Sequence, residues 1–369
     1  MPIPIANPKA QYLSLKSEIL EAVQEVFDSC QFILGDNIKK IEKDIPQLCD
    51  AEYGVAVNSG TDALVIALAA CGVGPGDEVI TTPYTFVATT ESIMILGAKP
   101  VYVDIDPDTF NLNPVLIEEK ITDKTKAILP VHLYGQCADI EAIENIAKKH
   151  GLKLVSDGAQ AIGSKHKDKG IGAYGDASTL SFFPTKNLGA CGDGGMVLTN
   201  DKSIDDKCRS LRFHGMNGNY EYDMVGFCSR MDEIQGAVLR VKMQKILEWN
   251  EARRSNAHYY LDRFKDLPMK LPLAKPENYH IYHQFTIQYD KRDQLKDKLA
   301  EKGIGSAIYY PSPLHLQSAY QNLGYRQGDL PISEEICKKV LSLPVFPELP
   351  EEDRKTVADA VIESVKELS

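Results

Sequence analysis

Apolar residues recur at helical spacing in "KSEILEAVQEVFDSC" (16–30), which puts Ile19, Leu20, Val23, Val26, Phe27 and Cys30 on one face. From about residue 55 two patterns alternate. "DALVIALAAC" reads as a helix and "DEVITTP" as a strand; "VATTESIMILGA" as a helix and "PVYVDID" as a strand. "NPVLIEEKI" (helix), "KAILPVH" (strand), "DIEAIENIAKKH" (helix) and "LKLVSD" (strand) continue the series. Short apolar strands between amphipathic helices predict an α/β fold with a mainly parallel sheet flanked by helices. Glycine, proline and aspartate fall at the junctions, as turns require.

Two further strands are expected at "STLSFF" and "GMVLT". A long helix is expected over roughly 230–249, with Met231, Ile234, Val238, Val241 and Trp249 near core spacing. The stretch "DLPMKLPLAKPENYH" (266–280) carries Pro268, Pro272 and Pro276 and leads into a second unit. There "YHQFTIQ" (strand), "RDQLKDKLAEKG" (helix) and a last helix near 351–368 give an α+β pattern. The expected division is a large domain over 1–250 and a smaller C-terminal domain over 251–369. No internal repeat or low-complexity segment is present.

Composition narrows the function. A chain of 369 residues with 43% apolar side chains can bury a sizeable core. A net charge of −11 argues against nucleic acid or anionic lipid as partner. It leaves room for a phosphate-bearing small molecule, because a local site can be positive on an acidic protein. None of the eight cysteines forms a Cys-x-x-Cys pair, which fits free thiols in a reducing compartment. The first residues, "MPIPIANPKAQYLSL", lack a signal pattern, and the run "ALVIALAACGV" is too short to span a bilayer. A cytoplasmic protein away from membranes is expected, with no His/Cys/Asp spacing that suggests a metal site.

Three pieces should converge at the carboxyl ends of the strands, where open α/β sheets bind ligands. In "NSGTDAL" (58–64), Gly60 and Thr61 lead into a helix whose free N–H groups suit a phosphate; helix capping accounts for the same residues. Asp157 ends a buried strand with Gln160 a turn later. It can cap a helix or hold a protonated ring nitrogen. Lys186 follows Ser181 in "SFFPTKNLGACGDGG" (181–195), ahead of four glycines. Most lysines are surface groups, but one whose pKa is lowered by desolvation can form a Schiff base. A phosphate cradle, a carboxylate for a pyridinium and a Schiff-base lysine together match pyridoxal 5′-phosphate.

The chain resembles the DegT/DnrJ/EryC1/StrS family of sugar-nucleotide aminotransferases, of the aspartate-aminotransferase fold type I. The likeness runs over nearly the whole length, through "NSGTDAL", "GPGDEVITTPYTFVAT", "GAKPVYVDIDPDTFNL", "ILPVHLYGQCADI", "DGAQAIGS", "SFFPTKNLGACGDGG", "CSRMDEIQGAVL" and "LSLPVFPEL". The resemblance implies that Lys186 carries the cofactor as a Schiff base and shuttles the proton. Asp157 would pair with the pyridine nitrogen, Gln160 would lie near the ring hydroxyl, and Gly60, Thr61 and Ser181 would hold the phosphate. Phe86 would stack on the ring, or else pack in the core. Asn187 is a weaker candidate. The resemblance also implies a homodimer in which the segment around 228–230 reaches the partner's cofactor, so that Cys228 is a cofactor-site residue.

The chain departs from the family pattern at three places. Ser156 and Gly158 change the usual Glu-Asp-Ala-Ala-Gln to "SDGAQ", and Cys228 stands where an asparagine helps bind the partner's phosphate. A thiol is a weak donor, which weakens that one contact. Arg230 is a candidate for the carboxylate of the amino donor or for a salt bridge at a helix start. His132, His214, His283 and His315 are open between structural and substrate roles.

The implied reaction moves an amino group from L-glutamate to a nucleotide-diphosphate keto-sugar. The resemblance favours carbon 3 over carbon 4, because members acting at carbon 3 tend to carry Ser-Phe-Phe-Pro before the lysine and Gly-Asp-Gly-Gly after it, as this chain does. A non-catalytic regulatory member of the same fold is an alternative, opposed by the intact Lys186, Asp157 and Gln160. Lys186 also opposes a dehydratase, in which a histidine takes its place. Thr185, where a histidine would stand, opposes a cysteine desulfurase.

Overall fold

The computed structural model describes residues 2–368. Three helices, α1 (Pro8–Ser14), α2 (Lys16–Ser29) and α3 (Asp36–Leu48), precede β1 (Tyr53–Val57). The alternating stretch then gives α4 (Gly60–Ala70), β2 (Glu78–Thr81), α5 (Ala88–Ile95), β3 (Lys99–Tyr102), β4 (Thr125–Ile128), α6 (Ile140–His150) and β5 (Lys153–Asp157). A short hairpin, β6 (Lys165–His166) and β7 (Lys169–Gly170), leads to β8 (Ala177–Ser181) and β9 (Gly195–Thr199). Next come α7 (Lys202–Leu211), α8 (Glu233–Met243), α9 (Ile246–Phe264), β10 (Asn278–Tyr279), β11 (Phe285–Gln288) and α10 (Arg292–Glu301). The chain closes with α11 (Pro331–Lys339), β12 (Val340–Leu343) and α12 (Glu351–Leu368).

The central sheet has seven strands in the order β1-β9-β8-β5-β4-β2-β3. Its ladders are parallel from β3 to β8, and only β9 runs against its neighbours. The two-residue period of a strand divides the side chains between two cores. Val55, Val57, Val79, Ala127, Val155 and Val197 pack with α4, α5 and α7. Ala56, Met196 and Leu198 join α3 and α8 on the other face, where Ile80, Ile128 and Leu154 meet α6. Helices therefore cover both faces, and every parallel strand ends at one edge.

Several sequence expectations change. In α2, Ile19 and Val26 are buried, but Leu20 and Phe27 are about half exposed. The expected face was drawn too wide. "NPVLIEEKI" forms two 3-10 turns, Pro114–Leu116 and Glu118–Lys120, in place of a helix; the Asn113 side chain accepts from Val115 N and starts a tight turn. The single helix expected over 230–249 is two, α8 and α9, joined through a tightened turn at Gln244–Lys245. Glu233, buried at the start of α8, accepts from the amides of Gly35, Asn37 and Ile38, so one carboxylate satisfies the N-terminus of α3.

The domain boundary expected at 250/251 lies inside α9. Ile246 of that helix packs in the large core, and Ala257, Tyr260 and Phe264 pack in the C-terminal core with β11, β12 and α12. We propose that the two units divide along this helix and not at a linker. All eight cysteines are free thiols, and no described helix is long and apolar enough to cross a membrane.

Candidate active site at the carboxyl edge of the sheet

The ends of β1, β2, β5 and β8 bring Gly60–Thr61, Thr85–Phe86, Asp157 and Ser181 to one edge. Ser59 caps α4 by accepting from Asp62 N at 3.0 Å. The capping reading of "NSGTDAL" is therefore correct for Ser59, and it leaves the amides of Gly60 and Thr61 at the helix end. A Cβ on Gly60 would stand 2.6 Å from Cβ of Ser181. The glycine is what lets the helix N-terminus approach the Ser181 hydroxyl.

Asp157 is 5% exposed. Its Oδ1 accepts from Ala159 N at 3.1 Å, and its Oδ2 from the Thr89 hydroxyl at 2.8 Å. Burial raises its pKa above the ordinary value, against those two hydrogen bonds and the attraction of Lys186. A carboxylate this desolvated favours a positive partner. Gln160 is held at both ends of its amide. Oε1 accepts from Tyr134 N at 2.7 Å, and Nε2 donates to the Tyr310 hydroxyl at 3.3 Å.

Lys186 sits in a tight turn after β8. Its amide donates to Phe183 O, and Ala190 N donates to Phe182 O. A Cβ on Gly189 would collide with Pro184 O at 2.5 Å, so the turn closes only with glycine there. Among the described residues no acceptor lies within hydrogen-bond reach of its amine. Desolvation lowers the amine's pKa to about 8, and the charge of Asp157 opposes that shift. The neutral, nucleophilic form is therefore accessible near neutral pH.

Phe86 is 56% exposed at the same edge, so it does not pack in the core, and its ring is open to the cleft. That cleft, of about 340 Å³, is lined by Thr85, Phe86, Glu91, Tyr310 and Gln317 among others. Cys228 is exposed, and its sulfur accepts from the Arg230 guanidinium at 2.9 Å. Its segment lies beside the same chain's cradle, since Asn58 N donates to Ser229 O and the Ser229 hydroxyl donates to Asp62. Arg230 stacks on Phe213 with 4.6 Å to the ring centroid, and forms no salt bridge among the described residues.

The histidines separate. His132 and His315 are buried structural residues: His132 accepts from Ala138 N, and His315 meets Glu334 at 3.1 Å. His283 is buried against Asn187. Thr89 and Tyr310 escaped the sequence reading. Thr89 lies in a stretch read only as helix, and Tyr310 comes from more than a hundred residues away. Of the two departures near Asp157, the one at Gly158 has a packing account. A Cβ on Gly158 would lie 2.5 Å from Cδ1 of Ile171, so that side chain fills the space an alanine would need.

These residues fit pyridoxal 5′-phosphate. The glycine-dependent cradle suits a phosphate, the buried carboxylate a pyridinium, and the unpartnered amine a Schiff base.

Comparison with known proteins agrees. The family described as DegT/DnrJ/EryC1/StrS aminotransferase family matches residues 13–362. A protein of Geobacillus stearothermophilus named pleiotropic regulatory protein is 50% identical, over 98% of each chain. A UDP-N-acetyl-3-dehydro-alpha-D-glucosamine 3-aminotransferase of Acidithiobacillus ferrooxidans is 43% identical, over 97% of each. The solved structure of S. venezuelae DesV in complex with a ketimine intermediate superposes with a TM-score of 0.97 at 39% identity, covering 99% of each chain. The fold is that of the type I pyridoxal-phosphate enzymes, and the cofactor is pyridoxal 5′-phosphate. By sequence and by fold, the chain is a member of the DegT/DnrJ/EryC1/StrS aminotransferase family.

Proposed function

We propose that the protein transfers an amino group from L-glutamate to carbon 3 of a nucleotide-linked keto-sugar, working as a homodimer. The observation that carries the reading is the placement of a desolvated Lys186 amine, without a hydrogen-bond partner, and the buried Asp157 carboxylate at one edge of the sheet. The 3-aminotransferase of A. ferrooxidans, matched end to end, supports carbon 3.

When bound, pyridoxal phosphate supplies an electron sink for the carbanion formed at the amino donor. Asp157 keeps the ring nitrogen charged, and the Thr89 hydroxyl keeps Asp157 oriented. Gln160 is held by Tyr134 and Tyr310 to face the ring hydroxyl. Gly60, Thr61 and Ser181 bind the phosphate. Lys186 would hold the cofactor and move the donor's proton, and its depressed pKa suits both tasks. Arg230, which donates to the Cys228 sulfur, would receive a donor carboxylate. Exposed Leu20, Phe27, Phe32, Ile33 and Phe183 offer apolar surface for a second copy.

The regulatory name of the G. stearothermophilus protein favours a second reading, in which ligand binds without turnover. Intact Lys186, Asp157 and Gln160 oppose it. Matched 3-keto and 4-keto sugar nucleotides offered with glutamate separate the possibilities. A new amine located by NMR at carbon 3 is expected. Preference for the 4-keto compound would move the position and leave amino transfer standing; a visible cofactor band that persists on adding glutamate, with no aminated sugar, would favour the sensor.

A further inference from the structure

Behind Lys186 runs a buried chain of three side chains. Asn250 Nδ2 donates to Ile162 O at 3.0 Å. Asn187 Nδ2 donates to Asn250 Oδ1 at 2.7 Å. His283 Nδ1 meets Asn187 Oδ1 at 2.9 Å. The three residues are 1%, 3% and 6% exposed. Ile162 O can only accept, so the direction of every bond follows from that end. Asn250 must donate to it and present Oδ1; Asn187 must donate to that oxygen and present its own. His283 must therefore carry its proton on Nδ1, with the lone pair on Nε2.

The ends of the chain are informative. Asn187 is the residue after Lys186. Ile162 lies two residues after Gln160, in the segment that follows Asp157. Gly163, at φ +83°, stands where a Cβ would be 2.9 Å from Asn250 Nδ2, so the glycine makes room for the crossing. His283 comes from the approach to β11, and its carbonyl accepts from Arg253 at 3.3 Å. Four segments far apart in sequence are thus tied behind the lysine. Burial, Lys186 and Arg253 all hold the imidazole well below its ordinary pKa, so the donor on Nδ1 persists across the working pH range.

We propose that the chain His283–Asn187–Asn250–Ile162 is a positioning device that holds the Lys186 turn in register with Asp157 and Gln160. His283, Asn187 and Asn250 are positioning residues, acting through Lys186. The proposal rests on the reading of Lys186 as the amine-bearing residue.

The test exploits the two ring nitrogens. An asparagine amide falls near the place of Nδ1, and a glutamine amide near that of Nε2. His283→Asn should keep the donor to Asn187, and His283→Gln should lose it. Asn250→Leu removes both central bonds at similar volume without adding charge, and keeps the question open to test where His283→Gln fails to fold. The first readout is the pH midpoint at which Lys186 reacts with acetic anhydride in the full chain freed of cofactor, followed by mass spectrometry of its peptide. In the parent that midpoint should lie at about 8. With the chain cut, the turn loosens, the amine becomes better solvated, and the midpoint should rise by about one unit or more toward the usual ~10.4. The second readout is kcat of the holoenzyme, expected to fall on the order of tenfold to a hundredfold with KM little changed, as displacement of a reacting group predicts. His283→Asn should stay near the parent midpoint. A parent-like midpoint in Asn250→Leu, or equal behaviour of His283→Asn and His283→Gln, would overturn the proposal. Lys186→Ala provides the separate control: retained turnover there would dismiss the role of Lys186, whereas the labelling midpoint reports on the chain without reference to turnover.

Discussion

Gly60 and Ser181 approach so closely that a Cβ on the glycine would lie 2.6 Å from the Cβ of the serine and 2.9 Å from its hydroxyl oxygen. One comes from the start of α4 and the other from the end of β8. Their closeness joins a helix N-terminus and a hydroxyl into one cradle, which is the geometry an anion needs. Gly60→Ala should therefore force the two apart. Overpacking of this kind costs about 1–3 kcal/mol of stability. The expected result is a lower melting temperature together with at least about tenfold weaker binding of pyridoxal phosphate, which corresponds to about 1.4 kcal/mol. Unchanged cofactor affinity, measured by fluorescence titration, would remove Gly60 from the phosphate site.

Asp157 makes a local bond to Ala159 N and a distant one to Thr89. The first is the cap-like contact that the sequence also allowed; the second has no capping purpose. Asp157→Asn retains an acceptor but cannot keep a ring nitrogen protonated. Turnover should fall at least about a hundredfold, the scale of one well-placed electrostatic contact. Thr89→Val should give a smaller loss in the same direction, because it leaves the charge and frees its orientation. Near-normal kcat in Asp157→Asn would return the residue to a purely local role.

The site was legible in sequence where a motif is continuous. Asp157 with Gln160, Gly60 with Thr61, and Ser181 with Lys186 each lie in one short stretch at a strand end, and strand-end placement follows from the alternating pattern alone. What tunes them was not legible. Thr89 sits on α5, Tyr310 in the C-terminal unit, and Asn250 on α9; each meets the site through tertiary packing that leaves no local spacing. Elements failed for similar reasons. The apolar run over 230–249 is continuous in sequence, yet Lys242 turns inward to donate to Gly189 O and Trp249 packs with Leu15 and Ile19, and the helix breaks between them. Periodicity marks which residues are apolar, not which of them find a partner, so Leu20 and Phe27 were placed inside and lie half exposed.

The depressed pKa of Lys186 carries a stability consequence. Its folded value is about 8, below the 10.5 of an unperturbed lysine. Between those values the unfolded chain binds more protons than the folded one, so stability rises with pH across that window. In the cofactor-free protein the ammonium form should cost about 1–3 kcal/mol below pH 8, a cost that fades as pH climbs toward 10. Lys186→Met removes the titrating group. The melting temperatures of the two proteins should therefore differ at pH 7 in favour of the variant, and converge by pH 10. Parallel curves would mean that the amine is solvated in the folded chain.

Cys228 stands where the family resemblance implies a contact to the cofactor, and its surroundings sharpen what a reversal should do. Its sulfur accepts from Arg230, while Arg230 also lies on the face of Phe213. An asparagine can retain that acceptor through Oδ1 and adds an amide donor that a thiol lacks. If the segment reaches the partner's phosphate, Cys228→Asn should tighten cofactor binding by roughly 1 kcal/mol, the net worth of an ordinary hydrogen bond, or about fivefold in Kd. The gain should appear only in the dimer, so titration of the cofactor across a dilution series checks both parts at once. Cys228→Ala is the control: it removes the acceptor and should leave Arg230 held by Phe213 alone. Weaker binding in Cys228→Asn, with Cys228→Ala unchanged, would mean that the asparagine amide finds no phosphate and that the segment serves only to orient Arg230.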